Sequence, residues 1–206
     1  MPGPDPTGRP EGIRAVYEAK AAAFDRQRGR GLSEAAWLDR LHALMPPGGS
    51  VLDLGCGAGE PIARWFVERG HPLTGVDFSA PMLALARARL PAQDWVLADM
   101  RGLALGRRFD AIVAWDSFFH LAREDQRAMF PVFAGHLAPG GGLLFTTGPE
   151  DGEAIGAVDG APVYHASLSP AGYAACLEAH GLTARAFVAE DPACGGRTVW
   201  LARGRV

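Results

Sequence analysis

The chain has 206 residues, which is enough for one domain built around a single hydrophobic core. Hydrophobic residues make up 48% of the sequence and charged residues 21%, as is ordinary for a globular protein. The formal net charge of −3 argues against a nucleic-acid-binding surface, which usually needs a basic face. No apolar run is long enough to span a bilayer, so we expect no membrane association.

The N-terminus and the cysteines bear on where the protein works. Residues 1–10 are rich in proline and glycine and lack the basic and apolar regions of a signal peptide, so we expect them to be disordered. The three cysteines, Cys56, Cys176 and Cys194, are odd in number and have no C-x-x-C spacing. This pattern predicts neither a disulfide framework nor a metal site and favours a reducing, cytoplasmic location.

Two helices are predicted before the first strand. Apolar residues at helical spacing predict the first helix over residues 11–29. The second helix is predicted to begin with Ser33 as its N-cap and to end at the segment 46–49, which contains two prolines and two glycines. Its inward-facing side chains are predicted to be Ala36, Trp37, Leu41 and Leu44.

Strands and helices then alternate along the chain, which predicts a doubly wound parallel sheet with right-handed crossovers. Strands are predicted at residues 50–54, 72–76, 94–98, 109–114 and 142–147, and helices at 58–69, 80–89 and 123–137. The strand at 109–114 is apolar on both faces, as buried parallel strands are.

The last part of the chain breaks this alternation. Residues 148–167 are predicted to form a loop or insertion, and a helix is predicted over 169–180. Strands near 183–189 and 197–203 have no helix between them. Because a short connection joins antiparallel strands, this pair predicts an antiparallel edge of the sheet.

The most informative stretch runs from Val51 to Gly59, where an apolar strand with an acid inside it leads into a glycine-rich turn. Gly55, Gly57 and Gly59 let the backbone approach a ligand closely, and the helix that follows offers unpaired N–H groups. The dinucleotide fingerprint G-x-G-x-x-G would place its third glycine at position 60. Glu60 stands there instead, and its carboxylate would repel a pyrophosphate.

The spacing G-x-G-x-G, with Asp53 two residues before it, resembles motif I of the class I S-adenosylmethionine-dependent methyltransferases. Within that family the chain resembles the small-molecule type with a methyltransferase type 11/25-like domain. The resemblance covers residues 48–147 well and is looser at both ends. It implies an α/β fold, a Rossmann-like doubly wound sheet of seven strands in the order 3-2-1-4-5-7-6, with strand 7 antiparallel and a helical cap at the N-terminus.

On this interpretation residues 11–206 form a single methyltransferase domain with S-adenosylmethionine as its cofactor. The domain divides into a helical cap (11–47), a cofactor-binding core (48–147), an insertion (148–167), and a C-terminal helix and strand pair (168–206).

The resemblance implies cofactor contacts at the carboxyl ends of the strands, where ligands lie in open α/β sheets. Asp77 is expected to accept both ribose hydroxyls, with capping of the Ser79 helix as the alternative. Asp99 and the Met100 amide are expected at the adenine edge, with a solvated loop acid as the alternative for Asp99. Further contacts are expected from Phe78 and Met100 on the adenine faces, with core packing as the alternative for each, and from the Trp115 carbonyl on the methionine ammonium. Asp53 is expected to hold the glycine turn, with direct contact to the ligand as the alternative.

The carboxylate of the methionine end needs a partner of its own, for which the family often uses an N-terminal arginine or tyrosine. Arg28 is a candidate because a guanidinium grips a carboxylate with two hydrogen bonds. Tyr17 is the second candidate, and packing in the core is its alternative.

The methyl acceptor is expected beside the fourth strand. His120 is the candidate general base because its ordinary pKa is near neutrality, with support of its loop as the alternative. Asp116 is expected to bind a cationic acceptor or to orient His120. The acceptor pocket is predicted to be lined by Trp37, Phe119, Tyr164 and His165, with core packing as the alternative for the first two.

The segment Trp115–Phe118 differs from the Asn-Pro-Pro-Tyr motif of nucleic-acid amino-methyltransferases. Together with the acidic net charge, this favours in-line methyl transfer to a small molecule by a monomer or homodimer, without nucleic acid, membrane or metal. Two alternatives stay open: a non-catalytic protein that binds S-adenosylmethionine or a partner, and an NAD(P)-dependent oxidoreductase. Glu60 and the pair of acids Asp77 and Asp99 weigh against the oxidoreductase.

Overall fold

The computed structural model describes residues 8–206 as a seven-stranded sheet flanked by helices, with a separate two-stranded hairpin. The helices are α1 (Ile13–Gln27), α2 (Ala35–His42), α3 (Ile62–Val67), α4 (Ala80–Arg89), α5 (Arg123–His136) and α6 (Pro170–Ala179). The strands are β1 (Val51–Leu54), β2 (Leu73–Asp77), β3 (Asp94–Leu97), β4 (Phe109–Ala114), β5 (Leu137–Thr147), β6 (Gly152–Val158), β7 (Ala161–Ser167), β8 (Leu182–Asp191) and β9 (Arg197–Gly204).

The main sheet has the order β3-β2-β1-β4-β5-β9-β8. Strands β1 to β5 pair in parallel, while β9 runs antiparallel to both β5 and β8. Counted without the hairpin strands, this is the order 3-2-1-4-5-7-6 with an antiparallel seventh strand. The fold class expected from the resemblance is therefore confirmed.

Each face of the sheet is covered by its own apolar layer. On one face, α2 and α3 bring Leu38, Leu41 and Phe66 against the strands. On the other face, aromatic side chains of α5 and α6 pack on Phe145 and Trp200, whose rings stack with centroids 5.9 Å apart. Because both faces are closed, the carboxyl ends of the parallel strands are the edge at which a ligand can enter.

The N-terminal elements differ in detail from the sequence-based expectation. Residues 1–7 lie outside the described residues, and the predicted disorder there is untested, but Pro10–Gly12 form a short 3-10 turn instead of a disordered segment. Ser33 is not an N-cap, because α2 starts at Ala35 without a side-chain cap and the Ser33 hydroxyl donates to Glu34. Ala36 is exposed, and Leu38 takes the inward position instead.

Helix α3, strand β5 and the end of helix α5 also differ from the predicted bounds. Helix α3 starts only at Ile62, because the glycine-rich turn continues through Pro61. Strand β5 begins at Leu137, which pairs with Phe109 before an irregularity in the register. Helix α5 thus ends at His136, next to its predicted end at residue 137, and the chain continues directly into β5.

The insertion is a β-hairpin, formed by β6 and β7, and not a loop. Its tip has Asp159 and Gly160 with φ of +47° and +77°, the conformation that a two-residue hairpin turn needs. This Asp-Gly pair is a sequence signal from which the hairpin could have been predicted. Asp159 also accepts from Lys20 at 3.0 Å and from Gln27 at 3.1 Å, so the tip is attached to α1.

Among the helices of residues 8–206, none combines the length and the apolar character that crossing a bilayer requires.

A buried glutamine of α5 links the hairpin to the C-terminal half of the fold, and this yields a prediction about stability. The Gln126 amide nitrogen donates to the carbonyls of Leu121 and Ala166, both at 2.8 Å, and its oxygen accepts from the Tyr173 hydroxyl. In Gln126→Leu these buried groups lose their partners, so we expect the free energy of unfolding to fall by about 3 kcal/mol in urea titrations.

The matched control is Arg127→Leu, which introduces the same side chain at the next, exposed position of the helix. It should change the free energy of unfolding by no more than about 0.5 kcal/mol. Equal effects of the two substitutions would contradict the role given to Gln126.

Candidate active site

The glycine turn after β1 has the conformation that its sequence predicts. Gly55, Gly57 and Gly59 have φ of +75°, +52° and +76°, the left-handed region that side chains rarely adopt. A Cβ at Gly55 would also overlap the side chain of Ser117, whose hydroxyl donates to the Leu54 carbonyl at 2.7 Å. At Gly57, by contrast, no described atom lies within 4 Å of the Cβ position, so the turn presents bare backbone to a cavity.

This cavity, the inner cavity, lies over the carboxyl ends of β1, β2 and β4. Its floor is the glycine turn, and its walls come from α1, α4 and the segments after the strands. Its lining residues are Tyr17, Phe24, Asp25, Arg28, Asp53, Gly55, Cys56, Gly57, Ala58, Glu60, Ile62, Asp77, Phe78, Met82, Met100, Trp115, Asp116, Ser117 and His120. Nine of the eleven predicted cofactor residues therefore line the inner cavity, and the two that do not are Asp99 and Gly59.

 Gly59 lies behind the turn, where a Cβ would approach Trp95 at 2.9 Å.

Two buried carboxylates lie side by side beneath the turn. Asp77 accepts from the Gly57 amide at 2.9 Å and from the Ser79 amide at 2.8 Å, so it holds the glycine turn and also supports the start of α4. The carboxylate of Asp53, by contrast, makes no hydrogen bond with the described residues, and Asp53 has 4% of its surface exposed, so Asp53 does not hold the turn through a side-chain hydrogen bond as expected. Burial, and next the charge of Asp77, raise the pKa of Asp53 to about 7.

The predicted adenine contacts are only partly brought together. Met100 is buried against the glycine turn, and Phe78 lines the same wall. Asp99 is exposed and lies outside the lining, where Arg101 grips its carboxylate through Nε and Nη2. The position of Asp99 thus matches its alternative, a solvated loop acid, and its adenine contact stays a prediction.

Trp115 and Arg28 both line the inner cavity. The indole Nε1 of Trp115 is the single buried side-chain nitrogen or oxygen of residues 8–206 that lacks a hydrogen-bond partner. One guanidinium nitrogen of Arg28 donates to the buried carboxylate of Glu34 at 2.8 Å, which orients the arginine. Both residues are thus placed as predicted, while their contacts with a cofactor stay predictions.

An ion-pair network that the sequence did not reveal closes one end of the inner cavity. Asp25 of α1 accepts from Arg89 and from Arg30, and the same two arginines approach Glu60 of the glycine turn. The Arg89 hydrogen bonds hold the pKa of Asp25 below its usual range. Glu60 is therefore neutralised by arginines from two distant segments, which no local motif predicts, and by Arg64 four residues further along the chain.

Tyr17 and His120 form a hydrogen-bonded pair where the inner cavity ends. The Nδ1 of His120 lies 2.9 Å from the Tyr164 carbonyl, which can only accept, so Nδ1 carries the proton. The other ring nitrogen, Nε2, then accepts from the Tyr17 hydroxyl at 2.9 Å. Burial lowers the pKa of His120 to about 4, and burial followed by the charges of Asp116 and Asp77 raises the pKa of Tyr17.

The lone pair of His120 is therefore already in use, and the ring is neutral at physiological pH. This geometry favours the alternative role of His120, support of its surroundings, over that of a general base. The base assignment itself stays a prediction.

Asp116 is held by an arginine that the sequence analysis did not single out. Arg197, at the start of β9, donates from Nε to both carboxylate oxygens at 2.9 Å and from Nη2 to Oδ2 at 2.7 Å. Asp116 has φ of +48°, and its amide donates to Thr146 at 2.8 Å. Because both His120 nitrogens have other partners, Asp116 does not orient His120 through a hydrogen bond.

A second, outer cavity of about 670 Å³ lies between the hairpin and the sheet edge. Its size is within the range of small-molecule sites. It shares five lining residues with the inner cavity: Tyr17, Phe24, Arg28, Asp116 and His120. Phe119 and His165 also line it, as predicted for an acceptor pocket.

The other two predicted acceptor residues lie elsewhere. Trp37 has 2% of its surface exposed, packs in the core and donates its indole N–H to Asp191 at 2.8 Å. Tyr164 lies in the apolar cluster between α1 and the hairpin, so only its backbone carbonyl reaches the site, through His120. Both predictions are corrected. Trp37 is taken up by packing in the core, and strand alternation turns Tyr164 away from the outer cavity while turning its neighbour His165 towards it.

The fold and this constellation of residues define the class I methyltransferase architecture. A protein family described as "Methyltransferase domain" matches residues 51–141. Residues 51–141, which contain the glycine turn and the strands β1 to β4, thus match a methyltransferase-domain family, in agreement with the resemblance drawn from the sequence.

Curated relatives are methyltransferases of small or carrier-bound acceptors. The dTDP-3-amino-3,6-dideoxy-alpha-D-glucopyranose N,N-dimethyltransferase of Streptomyces fradiae is 34% identical over 128 residues, which are 61% of this chain and 48% of that one. The trans-aconitate 2-methyltransferase of Azoarcus sp. is 40% identical over 98 residues, 46% of this chain and 37% of that one. The chain thus spans about half the length of the first of these relatives and less than half of the second.

A solved structure shares the fold over nearly the whole chain. The amino pentose methyltransferase CalS10 from Micromonospora echinaspora, solved with S-adenosylmethionine bound, superposes with a TM-score of 0.69 at 24% identity. The match covers 91% of this chain and 96% of that one. At this identity the likeness establishes the common fold.

The raised pKa of Asp53 gives a prediction on ligand binding. S-adenosylhomocysteine carries an ammonium group, and a cation near Asp53 favours its ionised form. Binding should therefore release a proton near pH 6.5, and the affinity for S-adenosylhomocysteine should rise from pH 5.5 to 7.5, since Asp53 loses its proton over this range. Calorimetry in two buffers of different ionisation enthalpy measures the released proton.

Asp53→Asn should lose both the proton release and the pH dependence. Asp39→Asn, at an exposed position of α2, is the matched control and should keep both. An unchanged pH dependence in Asp53→Asn would contradict the placement of a ligand cation beside Asp53.

The Tyr17–His120 hydrogen bond gives a second prediction. Tyr17→Phe and His120→Ala each remove this bond, so their effects on S-adenosylhomocysteine affinity should overlap in the double variant by about 1 kcal/mol. Calorimetric dissociation constants of the four proteins give this coupling. Tyr17→Phe combined with His180→Ala, which is remote from the site, should be additive; additivity for Tyr17 and His120 as well would refute the pair.

Proposed function

We propose that this protein is a methyltransferase that uses S-adenosylmethionine to methylate a small molecule held in the outer cavity. The observation that carries the proposal is the common wall of the two cavities, formed by Tyr17, Phe24, Arg28, Asp116 and His120. A donor in the inner cavity and an acceptor in the outer cavity would meet at this wall. Alignment of two reactants is most of what such a displacement needs.

The residues of the inner cavity fit this cofactor. Asp53 and Asp77 are buried carboxylates with no ion-pair partner among residues 8–206, as suits a ligand with a cationic end. Gly57 leaves open space for a ligand against its backbone, and the unpaired Trp115 indole offers a donor. Arg28 is oriented by Glu34 and lines the wall, where it would bind the methionine carboxylate.

S-adenosylmethionine, when bound, supplies a methyl group that is already activated on a sulfonium. The protein then has to bind, align and exclude water. Tyr17 is held by His120 at the common wall, and the carboxylate of Asp116 is fixed there by Arg197. The hairpin covers the outer cavity and is attached to α1 through Asp159, which keeps bulk water from the wall.

The outer cavity also separates this proposal from a non-catalytic binding protein. A protein that only bound the cofactor would have no need for an acceptor space, and Trp37 or Tyr164 would be expected to fill it. Neither side chain lines the outer cavity. An NAD(P)-dependent oxidoreductase is disfavoured because Asp53 and Asp77, which have no ion-pair partner among residues 8–206, line the inner cavity at the glycine turn, where a pyrophosphate would lie.

The first test is a calorimetric titration with S-adenosylhomocysteine, with NADH titrated in parallel. We expect micromolar binding of S-adenosylhomocysteine and no binding of NADH. Asp77→Ala should weaken S-adenosylhomocysteine at least tenfold, because it removes the expected ribose contact and the support of the Gly57 amide.

Because Asp77 also holds the turn, thermal unfolding of Asp77→Ala serves as the check of its fold, and Asp77→Asn serves as a second variant that keeps the side-chain shape. The matched control is Asp94→Asn, at the exposed start of β3. Asp110→Asn would not serve, because Asp110 accepts a hydrogen bond from Ser50. Binding of NADH alone, or an unchanged affinity in both Asp77 variants, would overturn the assignment.

A further inference from the structure

His165 is the one predicted acceptor residue whose chemistry the hydrogen bonds of the fold leave unused. It projects from β7 into the outer cavity, and its imidazole ring makes no hydrogen bond with residues 8–206. Its ring lies 4.7 Å from the ring of Phe119 and 4.9 Å from that of His120, measured between centroids. Since His120 lines both cavities, His165 stands next to the wall at which donor and acceptor would meet.

The packing around His165 fixes the ring but leaves its nitrogens available. A Cβ at Gly156 of β6 would lie 2.7 Å from the His165 ring, so glycine is needed there to admit the imidazole. Burial lowers the pKa of His165, which keeps the ring neutral at physiological pH. A neutral imidazole with a free nitrogen is able to accept a proton, whereas the Nε2 of His120 is occupied by Tyr17.

The charges of the outer cavity favour an amine over a carboxylate as acceptor. Five acidic residues line it, namely Asp116, Glu150, Asp151, Glu153 and Glu190, against the two arginines Arg28 and Arg197. Both arginines are already paired, with Glu34 and Asp116 respectively, and Arg123 pairs with Asp151 and Glu153. Glu150 and Glu190 are left without an ion-pair partner among residues 8–206, so the outer cavity keeps an excess of negative charge. A polyanionic acceptor would meet repulsion and no free cation among the lining residues, while an amine would meet a complementary field.

We propose that the acceptor is an amine bound in the outer cavity and that His165 is the catalytic residue that receives its proton. This inference rests on the proposed function and deepens it.

The step balances without a further reactant. The amine is held as an ammonium by the acidic residues and first transfers one proton to the free nitrogen of His165, which frees the lone pair of the acceptor nitrogen. This lone pair forms the new bond to the methyl carbon, the carbon–sulfur bond breaks with its electron pair going to sulfur, and the methylated nitrogen becomes positively charged. The imidazolium then passes this proton to water at the open side of the outer cavity.

The ionisable groups near His165 come from several elements. Tyr17 of α1 and His120 of the turn after β4 lie on the side of the inner cavity, and Asp116, paired with Arg197 of β9, lies at the end of β4. Of these, His120 is neutral and Tyr17 is protonated at physiological pH, while Asp116 stabilises the imidazolium that forms.

The experiment measures methyl transfer from radiolabelled S-adenosylmethionine to a defined panel. The amines are glucosamine and benzylamine, and the oxygen acceptors are trans-aconitate and catechol. We expect transfer to at least one amine and none to trans-aconitate. His165→Ala should lower kcat for that amine about 100-fold while the S-adenosylhomocysteine dissociation constant changes less than twofold, because His165 does not line the inner cavity.

Two readouts separate proton transfer from a structural role. Added imidazole should restore part of the rate of His165→Ala, and the fall of kcat at acidic pH in the unaltered protein should disappear in this variant. His180→Ala, at the end of α6 and far from both cavities, is the matched control and should keep the full rate.

The outcomes distinguish this inference from the function on which it rests. If no amine is methylated although S-adenosylhomocysteine binds, or if His165→Ala keeps its rate or is not rescued by imidazole, the inference is overturned and the cofactor assignment stands. If S-adenosylhomocysteine does not bind, the proposed function itself fails.

Discussion

The hydrogen bond from the Gly57 amide to the Asp77 carboxylate is the contact on which the site depends. It joins the glycine turn after β1 to the end of β2 and keeps the left-handed glycines in place. The hydroxyl of Ser117 makes the matching connection on the other side, from the segment after β4 to the end of β1. Three neighbouring strand ends are thereby fixed relative to one another, and the inner cavity is the space above them.

The same arrangement concentrates negative charge where water is excluded. Asp53 and Asp77 are buried next to each other, and both have raised pKa values because burial disfavours the charged form. Such a pair is unfavourable for the free protein and becomes favourable when a cationic ligand lies beside it. The unfavourable free energy of this pair in the free protein is thus offset when the ligand binds. Raised pKa values of this kind are characteristic of functional sites.

The hairpin and α1 supply what the sheet alone lacks. Asp159 attaches the hairpin tip to α1, and the chain of hydrogen bonds from the Tyr164 carbonyl through His120 to Tyr17 attaches β7 to the wall of the inner cavity. The roof of the acceptor space and the wall of the donor space are therefore one connected structure. His120 connects the two through its hydrogen bonds, while the ring nitrogens of His165 stay available for the proposed proton transfer.

The sequence by itself determined the fold class, the strand order through the family resemblance, and most of the inner cavity. These features depend on local patterns: alternating elements, a glycine turn and acids directly after strands. Only the tertiary structure decided which groups neutralise one another. Arg197 reaches Asp116 across 81 positions, Arg89 reaches Asp25 across 64, and Tyr17 reaches His120 across 103.

The same limit explains the corrected residues. Trp37 and Tyr164 are aromatic residues at plausible positions, but whether such a side chain faces a cavity or the core depends on the pairing of distant strands and helices. No local pattern gives a side chain's partner when the contact closes a long loop, because that contact is formed by the packing of the whole chain. The roles of individual residues in the site therefore had to come from the fold.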